Sequence, residues 1–235
     1  DVKTVTDSTL VLSYISVDGE MGYPGTLKVE ATYQLTSNNE LTLKLSATTD
    51  KTTIVNLTNH AFFNLSGEGN GTILDHVLTI PSNYFCAVNP DKIKTGEILK
   101  VAGTPFDFRK GKFIGADIGL EKSNEQLNFG GGYDQSYVLK KKKSNKIVLA
   151  ATVVDPNSGR KLEVFTNNMG VHFFSANFFK GTDVGKTGKT FNFRESFALE
   201  TQDFNSPNQK SFPTLLLEPG EKYETYTVYH FSCIK

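Results

Sequence analysis

The sequence predicts an all-β protein, an antiparallel β-sandwich, and three observations lead there. Apolar and polar residues alternate in short runs, as they do on strands with one buried face. No window longer than about three turns keeps the 3.6-residue period of a helix. The β-favouring aromatics are abundant, with 18 Phe and 9 Tyr in 235 residues.

The elements can be read in order. A strand is expected over 9–15. Leu27, Val29, Ala31, Tyr33 and Leu35 alternate, as do Leu41, Leu43, Leu45 and Ala47, with Thr36-Ser-Asn-Asn-Glu40 between them. That is the pattern of a half-buried hairpin. Further strands are expected over 54–57, 73–80, 137–140, 147–154, 161–166, 171–177 and 222–230, and Asp155-Pro-Asn-Ser-Gly-Arg160 reads as a turn joining two of them. No internal repeat and no Pro- or Ser-rich linker divides the chain, so residues 1–235 read as one domain.

Composition narrows the possible partners. The 25 basic and 25 acidic side chains cancel, so no global field favours nucleic acid or an anionic membrane, and a small uncharged ligand fits better. The run Lys140 to Lys143 reads as a solvated hairpin tip, because no aromatic residues interleave it as they would on a nucleic-acid surface. Apolar stretches such as Leu215 to Leu217 fall far short of the roughly 20 residues that cross a bilayer. The chain reads as soluble. Cys86 and Cys233 lack metal-ligand spacing, and two buried free thiols are favoured over one disulfide. The sequence opens on Asp1-Val-Lys3 without a leader, so any targeting segment was removed or lies upstream, and the cytoplasm is the expected compartment. Asn56, Asn64 and Asn70 head glycosylation sequons, but the first two flank a compact polar motif placed in a pocket, which leaves Asn70 as the acceptor.

Three clusters could carry chemistry. Asn56-Leu-Thr-Asn-His60-Ala-Phe-Phe-Asn-Leu65 interrupts an apolar strand with three Asn and one His, which need an internal network or a ligand once buried. A histidine satisfied in the core and a catalytic one fit equally well, and His60 is the best general-acid candidate among four histidines. Phe197-Ala-Leu-Glu200-Thr-Gln202 reads either as an ordinary surface strand or as one that carries a carboxylate inward, where a buried Glu can serve as a base. Gly130-Gly-Gly-Tyr-Asp134-Gln-Ser-Tyr137 has glycines that permit unusual backbone angles and close ligand approach just before a strand.

These clusters, in this order, resemble the aldose 1-epimerase family. Asn56-Leu-Thr-Asn-His-Ala-Phe-Phe-Asn-Leu65 is similar almost residue for residue to that family's Asn-Leu-Thr-Asn-His-Ser/Ala-Tyr-Phe-Asn-Leu. The resemblance extends through Asp18-Gly-Glu-Met-Gly-Tyr-Pro-Gly25, Thr95-Gly-Glu-Ile98, Thr104-Pro-Phe-Asp-Phe-Arg109, and Pro207-Asn208 leading to Phe212-Pro213. It implies the galactose mutarotase-like supersandwich and interconversion of the α and β anomers of free hexoses, with no metal and no cofactor. His60 would be the general acid at the ring oxygen and Glu200 the base at the anomeric hydroxyl, on two sides of the sugar. Asp134, Asn59, His172 and Gln202 would hold its hydroxyls.

The departures are specific. Gly170-Val-His172-Phe-Phe174 stands where the family has Gly-Val-Gln-Phe-Tyr, Phe62 replaces a Tyr, Gln135 a His and Met169 a Pro. The family also carries an upstream segment with sandwich strands, an Arg and a second His. A complementary N-terminal chain is therefore the expected partner, with a self-swapped homodimer as the alternative. Two other readings are a catalytically silent carbohydrate-binding protein of the same fold and, more weakly, a glycoside hydrolase using Asp134 and Glu200.

Overall fold

The computed structural model describes residues 1–139, 144–204 and 215–234. The lysine run 140–143 and the motif around Pro207-Asn208 and Phe212-Pro213 lie outside the described residues. Among the described residues no helix is long and apolar enough to cross a membrane.

Two antiparallel sheets face each other. The larger contains β1 (Val2–Val5), β2 (Thr9–Ser16), β3 (Leu27–Leu35), β4 (Glu40–Thr49), β7 (Val77–Thr79), β10 (Lys112–Phe113), β12 (Val148–Val154), β13 (Arg160–Thr166) and β17 (Tyr223–Cys233). Its order is β1-β2-β3-β4-β17-β13-β12-β7-β10. The smaller contains β6 (Phe62–Phe63), β8 (Tyr84–Val88), β9 (Lys94–Lys100), β11 (Asp134–Val138), β14 (Gly170–Phe174) and β15 (Phe197–Gln202), in the order β6-β15-β14-β11-β8-β9. The short β5 (Thr53–Ile54) and β16 (Leu216–Leu217) pair separately. One short helix, α1 (Glu125–Gly130), is capped by the Asn124 side chain, which accepts from the Leu127 N–H at 3.1 Å.

The main core lies between the sheets. Leu78, Val153, Leu162, Val164 and Tyr229 from the larger meet Phe85, Tyr137, Val171, Phe173 and Leu199 from the smaller. On the smaller sheet only alternate residues enter this core, so the residues between them form the opposite face. That face carries the site.

The hairpin pattern at 27–47 appears as β3 and β4, and strands 9–15, 147–154, 161–166 and 222–230 match within a few residues. Three expected strands are shorter. The 54–57 run ends its ladder at Ile54, because Leu57 N–H bonds the Tyr223 hydroxyl at 3.1 Å and the Asn56 amide pairs with the backbone of Asp203. The 73–80 run keeps only Val77–Thr79, since Ile73 N–H goes to Arg194 O and His76 N–H turns back to Ile73 O. The 171–177 run stops at Phe174, ahead of Ala176 with φ 51°. The 137–140 strand starts earlier, at Asp134. The sequence reading passed over β8, whose Tyr-Phe-Cys-Ala-Val run lacks alternation because almost all of it is buried.

The expectation of two buried thiols is half wrong: both cysteines are free, but only Cys86 is buried and Cys233 is exposed near the end of β17. Burial among Val138, Met169 and Phe204 pushes the Cys86 thiol up to about 12, against a smaller opposing pull from Lys94.

His76 gives a stability prediction. It is buried, its Nε2 accepts from Leu65 N–H at 3.0 Å, and its Nδ1 has no hydrogen-bond partner among the described residues. Burial holds its pKa below the ordinary 6.5, outweighing the carboxylates of Asp155 and Asp75. A histidine depressed in the folded state takes up its proton first in the unfolded chain. Its contribution is therefore present above about pH 6.5 and lost as pH falls below it. Urea midpoints at pH 7.5 and 5.5 should diverge more in the wild type than in His76→Gln, whose side-chain oxygen can still accept from Leu65. Equal differences in both proteins would refute this role.

Candidate active site

Strand register alone assembles the site. On β15 and β14, Glu200 is paired with His172, and on β14 and β11, His172 is paired with Ser136. On the other side of β15, Phe63 pairs with Phe197 and Phe62 with Ala198, so continuing that register by two residues sets His60 opposite Glu200. The result is a lateral row, His60, Glu200, His172 and Ser136, on the face turned away from the core. The next row, one pleat along, is Phe62, Ala198, Phe174 and Asp134.

Within these rows the ionisable groups form two histidine–carboxylate pairs. His60 Nε2 lies 3.2 Å from Glu200 Oε1, with the imidazole about half exposed and the carboxylate 10% exposed. His172 Nε2 lies 2.8 Å from Asp134 Oδ1, and its Nδ1 lies 3.0 Å from Ser136 Oγ. Gln202 reaches Glu200 Oε2 through a long 3.4 Å contact. Glu200 is thus a buried strand carboxylate and not a surface one. His60 and Glu200 stand side by side on the same sheet face.

Aromatic rings shape the wall around His60. Phe62 packs at 4.7 Å between ring centroids and Phe174 approaches edge-on at 6.1 Å. Such rings suit the apolar C–H face of a sugar. Across the sheet, the partly buried Lys94 has its ammonium pulled below the ordinary 10.5 by burial, with Cys86 and Glu200 pulling it back up. A cavity of about 540 Å³ lined by Phe62, Phe63, Phe179 and Phe191 adjoins the site only through Phe62. His60, Glu200, His172 and Asp134 lie outside it, on the open sheet face.

The chain around Asp134 is held by side chains from the next strand exit. Asn177 donates to the carbonyls of Gly130 and Tyr133 at 3.1 and 3.0 Å, and Ser175 accepts from Tyr133 N–H at 3.1 Å. Gly132 has φ 140°, and a Cβ there would lie 2.4 Å from Asn177 Oδ1. Close approach by Asn177 accounts for this glycine.

Asn59 behaves differently from the other expected sugar contacts. Its amide donates to the Tyr33 hydroxyl at 3.0 Å and accepts from Ala61 N–H at 3.0 Å, so it anchors the loop that delivers His60. Gln135 lies on the other face of β11, fully buried, bonding Gln126 O and Asp134 N–H at 2.8 Å each, so its difference from the family pattern reaches the site through the Asp134 backbone and not from the open face. Sequence reasoning missed Ser136. The signal was its place two residues after Asp134, on the same face of a strand. Among the described residues no three His, Cys, Asp or Glu gather as a metal site would need.

Comparison with known proteins completes the assignment. The aldose 1-epimerase family model matches residues 1–230. Galactose mutarotase from Sus scrofa is 42% identical over 229 residues, covering 97% of this chain and 64% of that protein. Aldose 1-epimerase from Escherichia coli (strain K12) is 33% identical over 228 residues, covering 96% and 64%. The chain therefore spans about 64% of the length of these curated relatives. The crystal structure of an aldose epimerase homologue from C. elegans superposes with a TM-score of 0.84 at 28% identity, covering all of this chain and 69% of that one. Galactose 1-epimerase from Lactobacillus acidophilus NCFM gives 0.83 at 27%, covering 100% and 67%. The protein belongs to the aldose 1-epimerase family.

Proposed function

We propose that the chain carries the acid–base centre that interconverts the α and β anomers of a free hexose such as galactose or glucose. The observation that carries this is the 3.2 Å approach of His60 to Glu200. In a cyclic hexose the ring oxygen and the anomeric hydroxyl share one carbon, so a donor for the first and an acceptor for the second must be neighbours. Glu200 takes the hydroxyl proton, and the freed O–H electron pair becomes the C1=O1 double bond. The C1–O5 pair moves to O5, which takes a proton from the His60 imidazolium. The open aldehyde rotates about C1–C2, and the same steps in reverse close either anomer. Asp134 would hold sugar hydroxyls, with Gln202 beside Glu200, while Phe62 and Phe174 back the apolar face.

Two finer readings go with this. The free thiol of Cys233 on the surface fits a reducing compartment, the cytoplasm. The groove lined by Leu12, Tyr14, Val29 and Ala31, with Tyr14 and Ile15 both 56% exposed, fits cover by a complementary chain.

Polarimetry of freshly dissolved α-D-galactose and α-D-glucose tests the proposal. Mutarotation clearly faster than the spontaneous rate is expected. Sugar binding without acceleration would favour a silent carbohydrate-binding protein instead.

A further inference from the structure

We infer that Ser136 and His172 together form a positioning device for Asp134, and that His172 itself offers the sugar no hydrogen bond. The inference rests on the proposed reading that Asp134 meets the sugar. Asp134 and Ser136 are two residues apart on β11, on one face, and His172 of β14 sits between them with one ring nitrogen to each, at 2.8 and 3.0 Å. Ser136 is only 2% exposed, so it touches no ligand.

The donor and acceptor roles follow from simple chemistry. A carboxylate only accepts, so Nε2, facing Asp134 Oδ1, carries the proton. In the neutral ring Nδ1 is then a lone pair, and Ser136 Oγ–H is the donor that meets it. Both nitrogens are consumed inside the protein. What remains for a sugar is the ring's C–H edge and face, together with Asp134 Oδ2, which has no partner among the described residues.

The serine matters because the carboxylate fixes the tautomer but one hydrogen bond does not fix the ring. Without the second bond at Nδ1 the imidazole is free to turn about its Cβ–Cγ bond. Asp134 would lose its fixed angle. A hydrogen bond that orients a binding group in this way should act on KM and spare kcat, because chemistry stays with His60 and Glu200.

The test combines a spectroscopic readout with kinetics. Nitrogen-15 NMR of the imidazole of His172 should show an Nε2-protonated neutral ring in the wild type, with the Nδ1 resonance shifted by the serine's hydrogen bond, and loss of that shift in Ser136→Ala. Ser136→Thr, which keeps the hydroxyl, should restore the wild-type pattern. KM for the hexose should rise about fivefold in Ser136→Ala, with kcat within about twofold. In a His172→Gln background, where no ring is left to be oriented, Ser136→Ala should leave KM unchanged. An Nδ1-protonated, cationic or averaged ring in the wild type would overturn the inference, as would an unaltered ring in Ser136→Ala. So would an equal KM increase in both backgrounds. Because the NMR pattern is read without substrate, failure of the proposed reaction and failure of the tautomer assignment are separate results.

Discussion

Glu200→Gln is expected to lower the mutarotation rate by on the order of 10²-fold or more without unfolding the protein. The substitution keeps the size and the hydrogen-bonding reach of the side chain but removes its ability to take a proton. Glu200 lies in the middle of β15, flanked by His172 on one side and facing His60 on the other. The amide can still contact the His60 ring, so structure should survive and the far-ultraviolet spectrum should match the wild type. His60→Asn should cost a similar factor. On the proposed mechanism acid and base act in one exchange, so the double variant should be little slower than either single one. Stopped-flow polarimetry corrected for the spontaneous reaction measures all three. A rate within a few-fold of wild type in either single variant would mean that the proton is moved by other groups.

Phe173→Ala should be the most destabilising single change, at about 3–5 kcal/mol of unfolding free energy. The ring is fully buried between the sheets, with the Tyr133 ring at 5.4 Å and the Phe108 ring edge-on at 5.8 Å. These neighbours sit on loops and strands fixed from several directions, so the void left behind would not close easily. Urea unfolding followed by fluorescence should show a lower midpoint at an unchanged slope. A loss below about 1 kcal/mol would indicate that the core repacks around the smaller residue. Since Phe173 lies between His172 and Phe174, a shift of β14 would also be felt on the site face.

Much of this architecture was legible because strands with one wet face announce themselves by alternation. Leu27 to Leu35 reads correctly to the residue. What the sequence hides is lateral position. Nothing local places Glu200 beside His60 or Ser136 beside His172, because cross-strand pairing joins segments more than a hundred residues apart in the first case. The family pattern named His60, Glu200 and Asp134 as partners, but their side-by-side arrangement had to come from register. Asn59 illustrates the converse. Its residue type suits a sugar contact, and its amide also ties the loop to Tyr33 and the backbone, a use that only coordinates reveal. Strand ends were lost for a related reason. Side-chain amides and hydroxyls such as Asn56 and Tyr223 capture backbone groups that propensity would assign to a ladder.

The place of β17 in the larger sheet has a consequence for biosynthesis. It lies between β4 and β13, pairing through Tyr223–His230 with the first and through Thr227–Cys233 with the second, although it follows them both in the chain. As the polypeptide leaves the ribosome, β4 emerges long before its permanent neighbour. At 5–20 residues per second the wait is roughly 10–35 s. During that interval the β2-β3-β4 meander presents an open edge and the apolar side chains of Leu43 and Leu45 to whatever is nearby. Nascent chains stalled before Tyr223 should therefore bind chaperones and resist acquiring protease protection, while release of the final strand should trigger compaction of the whole sheet at once.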